Sequence, residues 1–244
     1  MGLKPPVWTW EIPAYFFIGG VAGVAAAIAG VTSISGGDAT LVRDARWVAA
    51  AGAAISPALL ISDLGRPGRF LNMLRVFKRR SPMSVGVWGL MAFSAAVFSS
   101  IALEWWRGPA ASAPISVLAF TIDLFCVVLG LLLTTYTGVL IGATSVPVWA
   151  RHARLLPMQF GASSLGAGVG VIELLGHLTP AMNLMGIAAA IVATGLGIRL
   201  EIQRDLSSKA LGTTKAGWLT RIGDLGSGPL ALVLRLVPAA LTQA

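Results

Sequence analysis

Six side chains of this sequence carry titratable protons within or beside stretches that are otherwise apolar: Glu11, Asp63, Asp123, Tyr136, Glu173 and His177. An ionisable group at lipid depth is costly unless it is paired, wetted or put to use. A phenol there needs a hydrogen-bond partner. The chemistry these groups offer is proton exchange with a bound molecule or with one another. Glu173 and His177 are spaced i, i+4, which on a continuous helix sets them on one face and lets them share a proton. A plain ion pair or a helix-end contact accounts equally well for Glu11, for Asp63 beside Arg66, and for Glu173 with His177. Asp123 is harder to explain that way, because it stands well inside an apolar run with no basic neighbour in sequence.

The metal-binding inventory is thin. One cysteine, Cys126, excludes an internal disulfide, a CxxC motif and a four-thiolate cluster. Two histidines, His152 and His177, do not supply the intramembrane pairs that haem ligation in a four-helix cytochrome requires. No haem and no metal of its own is the expectation for this protein.

The elements that must position these groups follow from composition. Of 244 residues, 56% are hydrophobic and 11% charged, with a mean hydropathy of +0.80. Soluble domains carry about 25% charged residues. An all-α integral membrane protein is the fold class that remains. Apolar stretches long enough to cross a bilayer predict six transmembrane helices at about Ile12–Ile34, Ala45–Ile61, Ser84–Leu103, Ile115–Ala143, Leu155–Gly176 and Ala181–Leu200. Trp8, Trp10, Trp47, Trp88, Trp105, Trp106 and Trp149 fall near their ends, as interfacial rings do. The first stretch is too long for a cleaved signal and has only Lys4 ahead of it.

Charge sorts by side. With six spans, only Arg43, Arg46 and Arg107 of the eighteen lysines and arginines fall on the side away from the N-terminus. That bias predicts that both termini and the basic loops are cytosolic in a multi-pass protein of a bacterial or archaeal cytoplasmic membrane. It also explains the net charge of +8 without nucleic acid. Residues 1–203 form the expected transmembrane bundle, and 204–244 a basic cytosolic tail. Within the tail, Pro229–Leu241 is apolar but too short to span, and reads as an interfacial or partner-docking helix. The polar groups then divide into two sets: Glu11, Asp63 and Tyr136 toward the cytosol, and Asp123, Glu173 and His177 toward the far leaflet.

Three ordered segments carry a family likeness. Trp10-Glu11-Ile12-Pro13-Ala14-Tyr15 through Gly23 resembles the first-helix signature of the NrfD/polysulfide-reductase membrane-subunit family. Asp63-Leu64-Gly65-Arg66-Pro67, Arg69-Phe70-Leu71-Asn72-Met73 and Ser81-Pro82-Met83-Ser84 resemble its second-to-third-helix loop. Tyr136-Thr137-Gly138-Val139-Leu140, with Pro147-Val148-Trp149 and Leu156-Pro157, resembles its fourth-helix end. The resemblance implies a haem-free anchor that exchanges electrons between a docked iron–sulfur subunit and membrane quinone or quinol (menaquinone or ubiquinone). A molybdopterin or hydrogenase-type catalytic subunit would stand behind it. By the same likeness the quinone pocket falls on Glu11, Tyr136 and Asp63, lined by Trp10 and Tyr15, with Arg66 beside it. Because the motif loops lie on the basic side, the iron–sulfur partner is expected on the cytosolic face, over Arg66–Arg80 and Arg151–Arg154. Many relatives have eight or more spans, so six is a departure.

In this reading Glu11 and Tyr136 hydrogen-bond the headgroup and relay protons, and Asp63 links the pocket to water or fixes Arg66. Asp123, Glu173 and His177 would add a half-channel if the chemistry also translocated protons. Tyr136 and Asp123 lie about 20 Å apart along one helix, so other groups would have to bridge them. Two rival functions remain open. A proton-coupled secondary transporter would ignore quinone-site inhibitors, and a passive anchor would tolerate loss of Glu11 and Tyr136.

Overall fold

The computed structural model describes residues 10–63, 68–107, 112–143, 150, 152–205 and 226–241. Its long helices are α1 (Glu11–Ile34), α2 (Ala39–Asp63), α4 (Pro82–Arg107), α5 (Ala113–Gly142), α6 (Leu156–Leu174) and α7 (Pro180–Asp205). A two-turn α3 (Gly68–Arg75) precedes α4, and a π-turn at Gly226–Leu230 leads into α8 (Ala231–Leu241). No strand occurs among the described residues. Proline marks the helix starts: Pro82 and Pro180 open α4 and α7, while Pro114 and Pro157 sit in the first turns of α5 and α6. There its missing N–H has no intrahelical partner to lose. Asp38 precedes α2 and accepts from the Thr40 backbone N–H at 2.9 Å and from its hydroxyl, which holds the Asp38 carboxyl below its ordinary range.

Among the described residues, five helices, α1, α2, α4, α5 and α7, are long and apolar enough to cross a membrane. The protein is therefore an all-α, multi-pass membrane protein. The sixth expected span forms as α6, but with Gln159, Glu173 and several glycines it falls short on apolarity. Its position explains why it can. α6 runs alongside α1, with Ser164 against Gly20 and Gly168 against Val24, and packs between α1, α5 and α7. A helix walled in by other helices need not match lipid.

α1 lies at the centre and packs on α2, α5 and α6. Gly19 through Ala26 are buried, together with Ile28, Ala29 and Gly30. Lipid tails are as apolar as these side chains, so association rests on close packing of small residues rather than on hydrophobic force. α1 and α5 approach closely where Gly23 and Gly130 meet backbone to backbone. A Cβ on Gly23 would lie 2.6 Å from the Gly130 carbonyl oxygen.

α2 contains Pro57, which cannot donate to the Ala53 carbonyl four residues earlier. The Ser94 hydroxyl of α4 donates to that carbonyl instead, at 3.1 Å. In lipid every backbone group must find such a substitute. The short apolar helix expected near the C-terminus forms as α8, but not at the interface: with the π-turn it packs along α7, and Arg235 lies over Gly186 near the start of that helix. Gly228 rests against the Thr194 backbone at mid-helix.

Candidate functional site

Two polar clusters form, one at each end of the bundle. At the first end, Glu11 opens α1, and its Oε2 is buried without a hydrogen-bond partner. Tyr15, one turn inward, is 3% exposed. Tyr136 comes from the last turns of α5. Its ring lies over Gly86, and its phenol O–H donates to the Pro82 carbonyl at the start of α4. Gly86 makes room for that ring, since a Cβ there would strike it. Asp63 ends α2 half-buried at the same end. Trp10 is 70% exposed and projects outward rather than lining a pocket within the bundle. Arg66 lies outside the described residues, as do Arg151 and the side chain of Arg69. Arg75, Lys78, Arg79 and Arg80 are exposed at this end.

Two further hydroxyls lie deeper. Ser56 of α2 faces Gly19 of α1, and Thr137 of α5 lies one turn from Thr134, whose methyl abuts Gly23. α5 runs antiparallel to α1, with Gly30 against Asp123 and Gly23 against Gly130. Ser56 is 0% and Thr137 1% exposed, and neither hydroxyl has a hydrogen-bond partner.

At the opposite end Asp123 is not alone. Arg46 of α2 donates from Nη2 to Asp123 Oδ1 at 2.8 Å and from Nη1 to Glu104 Oε2 at 2.7 Å. Ser33 of α1 donates to Asp123 Oδ2 at 2.7 Å. One guanidinium thus ties α1, α2, α4 and α5 together. Two crevices of about 10 Å³ each border it, one of them also touching Cys126, and each has room for about one water.

The structure separates Glu173 from His177, against the expectation that they share a proton. α6 ends at Leu174 and Gly176 turns at φ +99°. The His177 N–H then bonds the Ile172 carbonyl and the Gly176 N–H the Glu173 carbonyl. This Schellman closure swings His177 off the helix face. His177 Nε2 lies 3.0 Å from Asp44 Oδ2 of α2, while Glu173 takes a bidentate bond from Arg235 of α8, at 2.8 and 2.7 Å. Asp123, Glu173 and His177 therefore have separate partners. Arg235, counted with the basic side by sequence, meets Glu173 at the Asp123 end. Among the described residues no three histidines, cysteines or carboxylates converge on a metal-sized site.

A family description, "Polysulphide reductase, NrfD", matches residues 3–182. The protein belongs to the NrfD family. Within it, the sequence is 30% identical over 192 residues to the C subunit of the polysulfide reductase of Wolinella succinogenes, a match that takes in 70% of this protein. It spans 59% of that relative's length. All three likeness segments, with Glu11, Asp63 and Tyr136, fall inside the matched region, and α8 with Arg235 falls beyond it.

Sequence reasoning had not singled out Arg46, Glu104, Ser33, Ser56, Thr137 and Arg235. Arg46 carried a signal, since it lies inside an apolar stretch, but it read as a flanking charge. Arg235 yields a prediction. Its guanidinium lies directly over Gly186 of α7, where a side chain would collide with it. Arg235→Ala, Glu173→Gln and Gly186→Val should each release α8 and raise proteolysis of the C-terminal segment in detergent. An unchanged cleavage pattern in all three would mean that the pair does not hold α8.

Proposed function

We propose that the protein is the quinone-reactive membrane subunit of a reductase-type complex, exchanging electrons with an iron–sulfur subunit docked at the Glu11 end. NrfD-family membership supports the membrane-subunit role, and the likeness to a polysulfide reductase subunit supports the reductase class. The observation that carries the quinone reading is the buried, unpartnered Glu11 Oε2 at the end where Tyr15 and Tyr136 also stand. A protonated Glu11 donates to a quinone oxygen, and an ionised one accepts from a quinol hydroxyl. Tyr136 keeps a lone pair while donating to Pro82, so it can accept from a quinol hydroxyl without breaking its own bond.

When bound, the quinone supplies the two-electron chemistry. This protein holds the headgroup and handles its protons. Exposed Trp10, Arg75, Lys78, Arg79 and Arg80 suit an acidic, partly apolar partner face. The sorting of basic residues favours the cytosolic side for that partner. A molybdopterin or hydrogenase-type subunit fits behind it. The separate pairing of Asp123, Glu173 and His177 favours a structural role at the other end over a proton half-channel.

In the assembled complex, Glu11→Gln should lower quinone turnover about a hundredfold, the scale of a lost general acid–base. Tyr136→Phe should weaken quinol binding more than quinone binding. Full turnover in both variants would indicate a passive anchor, and function insensitive to quinone-site inhibitors a transporter.

A further inference from the structure

α8 lies beside α7 over two turns, and the contacts fix its direction. Gly228 rests against the Thr194 backbone, and Arg235 rests against Gly186. Advancing from Gly228 to Arg235 therefore means going backward along α7, so the two helices run antiparallel. At 1.5 Å per residue, Gly186 stands about 9 Å from Pro180, where α7 begins at the Asp123 end, and Thr194 about 21 Å from it. Thr194 is thus near the middle of α7. From Arg235 to Leu241 the helix advances about 9 Å more, which brings the end of α8 level with Pro180.

The side chains of α8 suit that depth. Leu230, Val233, Leu234 and Leu236 are exposed, while the Arg235 side chain turns inward to Glu173, each of the pair 14% exposed. A surface helix in water shows the reverse, apolar inside and charge outside. A charged side chain at lipid depth faces the bundle and pairs there. We infer that α8 is a membrane segment of its own, running from mid-depth to the far side with its leucine face against lipid acyl chains. α7 ends at Asp205, at the Glu11 end, and by Gly228 the chain is back at the level of Thr194. Glu11 and Leu241 then stand at opposite faces of the membrane. This replaces the cytosolic tail and interfacial helix read from the sequence, where length alone spoke against a crossing. A segment that starts half-way needs only about 20 Å of helix, which Gly228 to Leu241 supplies. Placing Arg235 on the far side still leaves fourteen of the eighteen lysines and arginines with the N-terminal side, so the charge bias survives.

Thiol labelling with a membrane-impermeant maleimide, in sealed vesicles of each orientation, reads the side directly. Cys126 is buried, so the parent protein serves as the blank. Ser35→Cys, exposed in the turn after α1, marks the Asp123 side, and Lys78→Cys, exposed ahead of α4, marks the Glu11 side. A cysteine in a short flexible extension after Ala244 should label only from the side that labels Ser35→Cys. Labelling from the Lys78→Cys side, or from neither side, would overturn the inference. A nitroxide attached at Leu234→Cys reads the surroundings of α8. Dissolved oxygen should reach it far more readily than a water-soluble nickel chelate does, as in lipid. The opposite order would put the leucine face in water or under a polar partner, and the membrane segment would be wrong. Neither measurement depends on quinone chemistry, so a failure here leaves the proposed function standing.

Discussion

Replacing Arg46 with methionine should destabilise the bundle by about 3–5 kcal/mol, the cost of stranding one partner of a buried ion pair. Asp123 is the stranded partner. It is 4% exposed, and the adjoining crevices admit about one water each, too little to solvate a carboxylate. Glu104 loses less, because its side chain is 40% exposed and water can replace the guanidinium there. Ser33 keeps its bond to Asp123 but adds no counter-charge. The double variant Arg46→Met with Asp123→Leu should recover most of the loss, since it removes both charges. Thermal unfolding of the three proteins in one detergent checks this. A single variant as stable as the parent would mean that the cluster does not bind its four helices.

The second large effect is expected at the α1–α5 crossing. A Cβ on Gly130 would meet the Gly23 carbonyl oxygen, and both neighbours are backbone, which cannot swing aside. Gly130→Ala should cost about 1–3 kcal/mol, the usual penalty of overpacking, and Gly130→Val more. The damage reaches beyond the contact, because this crossing sets the register that carries Tyr136 to Pro82 and Asp123 to Arg46. Lost stability should therefore come with lost quinone binding. Gly195→Ala is the control: nothing lies within 4 Å of its added methyl, so both quantities should stay put. Equal melting temperatures for Gly130→Ala and Gly195→Ala would contradict the close crossing.

Much of this architecture is legible in the sequence, and the misses have physical causes. Hydropathy locates the helices because lipid imposes one rule along each span. It places the start of the second span at Ala45, so Arg46 reads as a flanking charge. The helix starts at Ala39, capped by Asp38, and that extra turn and a half draws Arg46 inside the bundle. Glu173 and His177 share a face only on an unbroken helix. Gly176, followed by Thr179 and Pro180, is the stop signal that breaks it. Ser56 and Thr137 could not stand out at all. Buried hydroxyls are common in membrane helices, and only the contacts show which ones lack a carbonyl.

The central position of α1 bears on how the protein comes into being. α1 is made before the helices that pack on it, and α2 covers only one side of it. The other two faces wait for α5 and α6, which end at Gly142 and Leu174. At the usual pace of translation, about 5–20 residues per second, that delay is roughly 5–30 s. Throughout it a smooth strip of glycine and alanine stands open in the membrane, able to pair with any other helix that offers a similar strip. Newborn proteins crowded in one bilayer are thus exposed to mispairing through α1, and slower synthesis would lengthen that exposure.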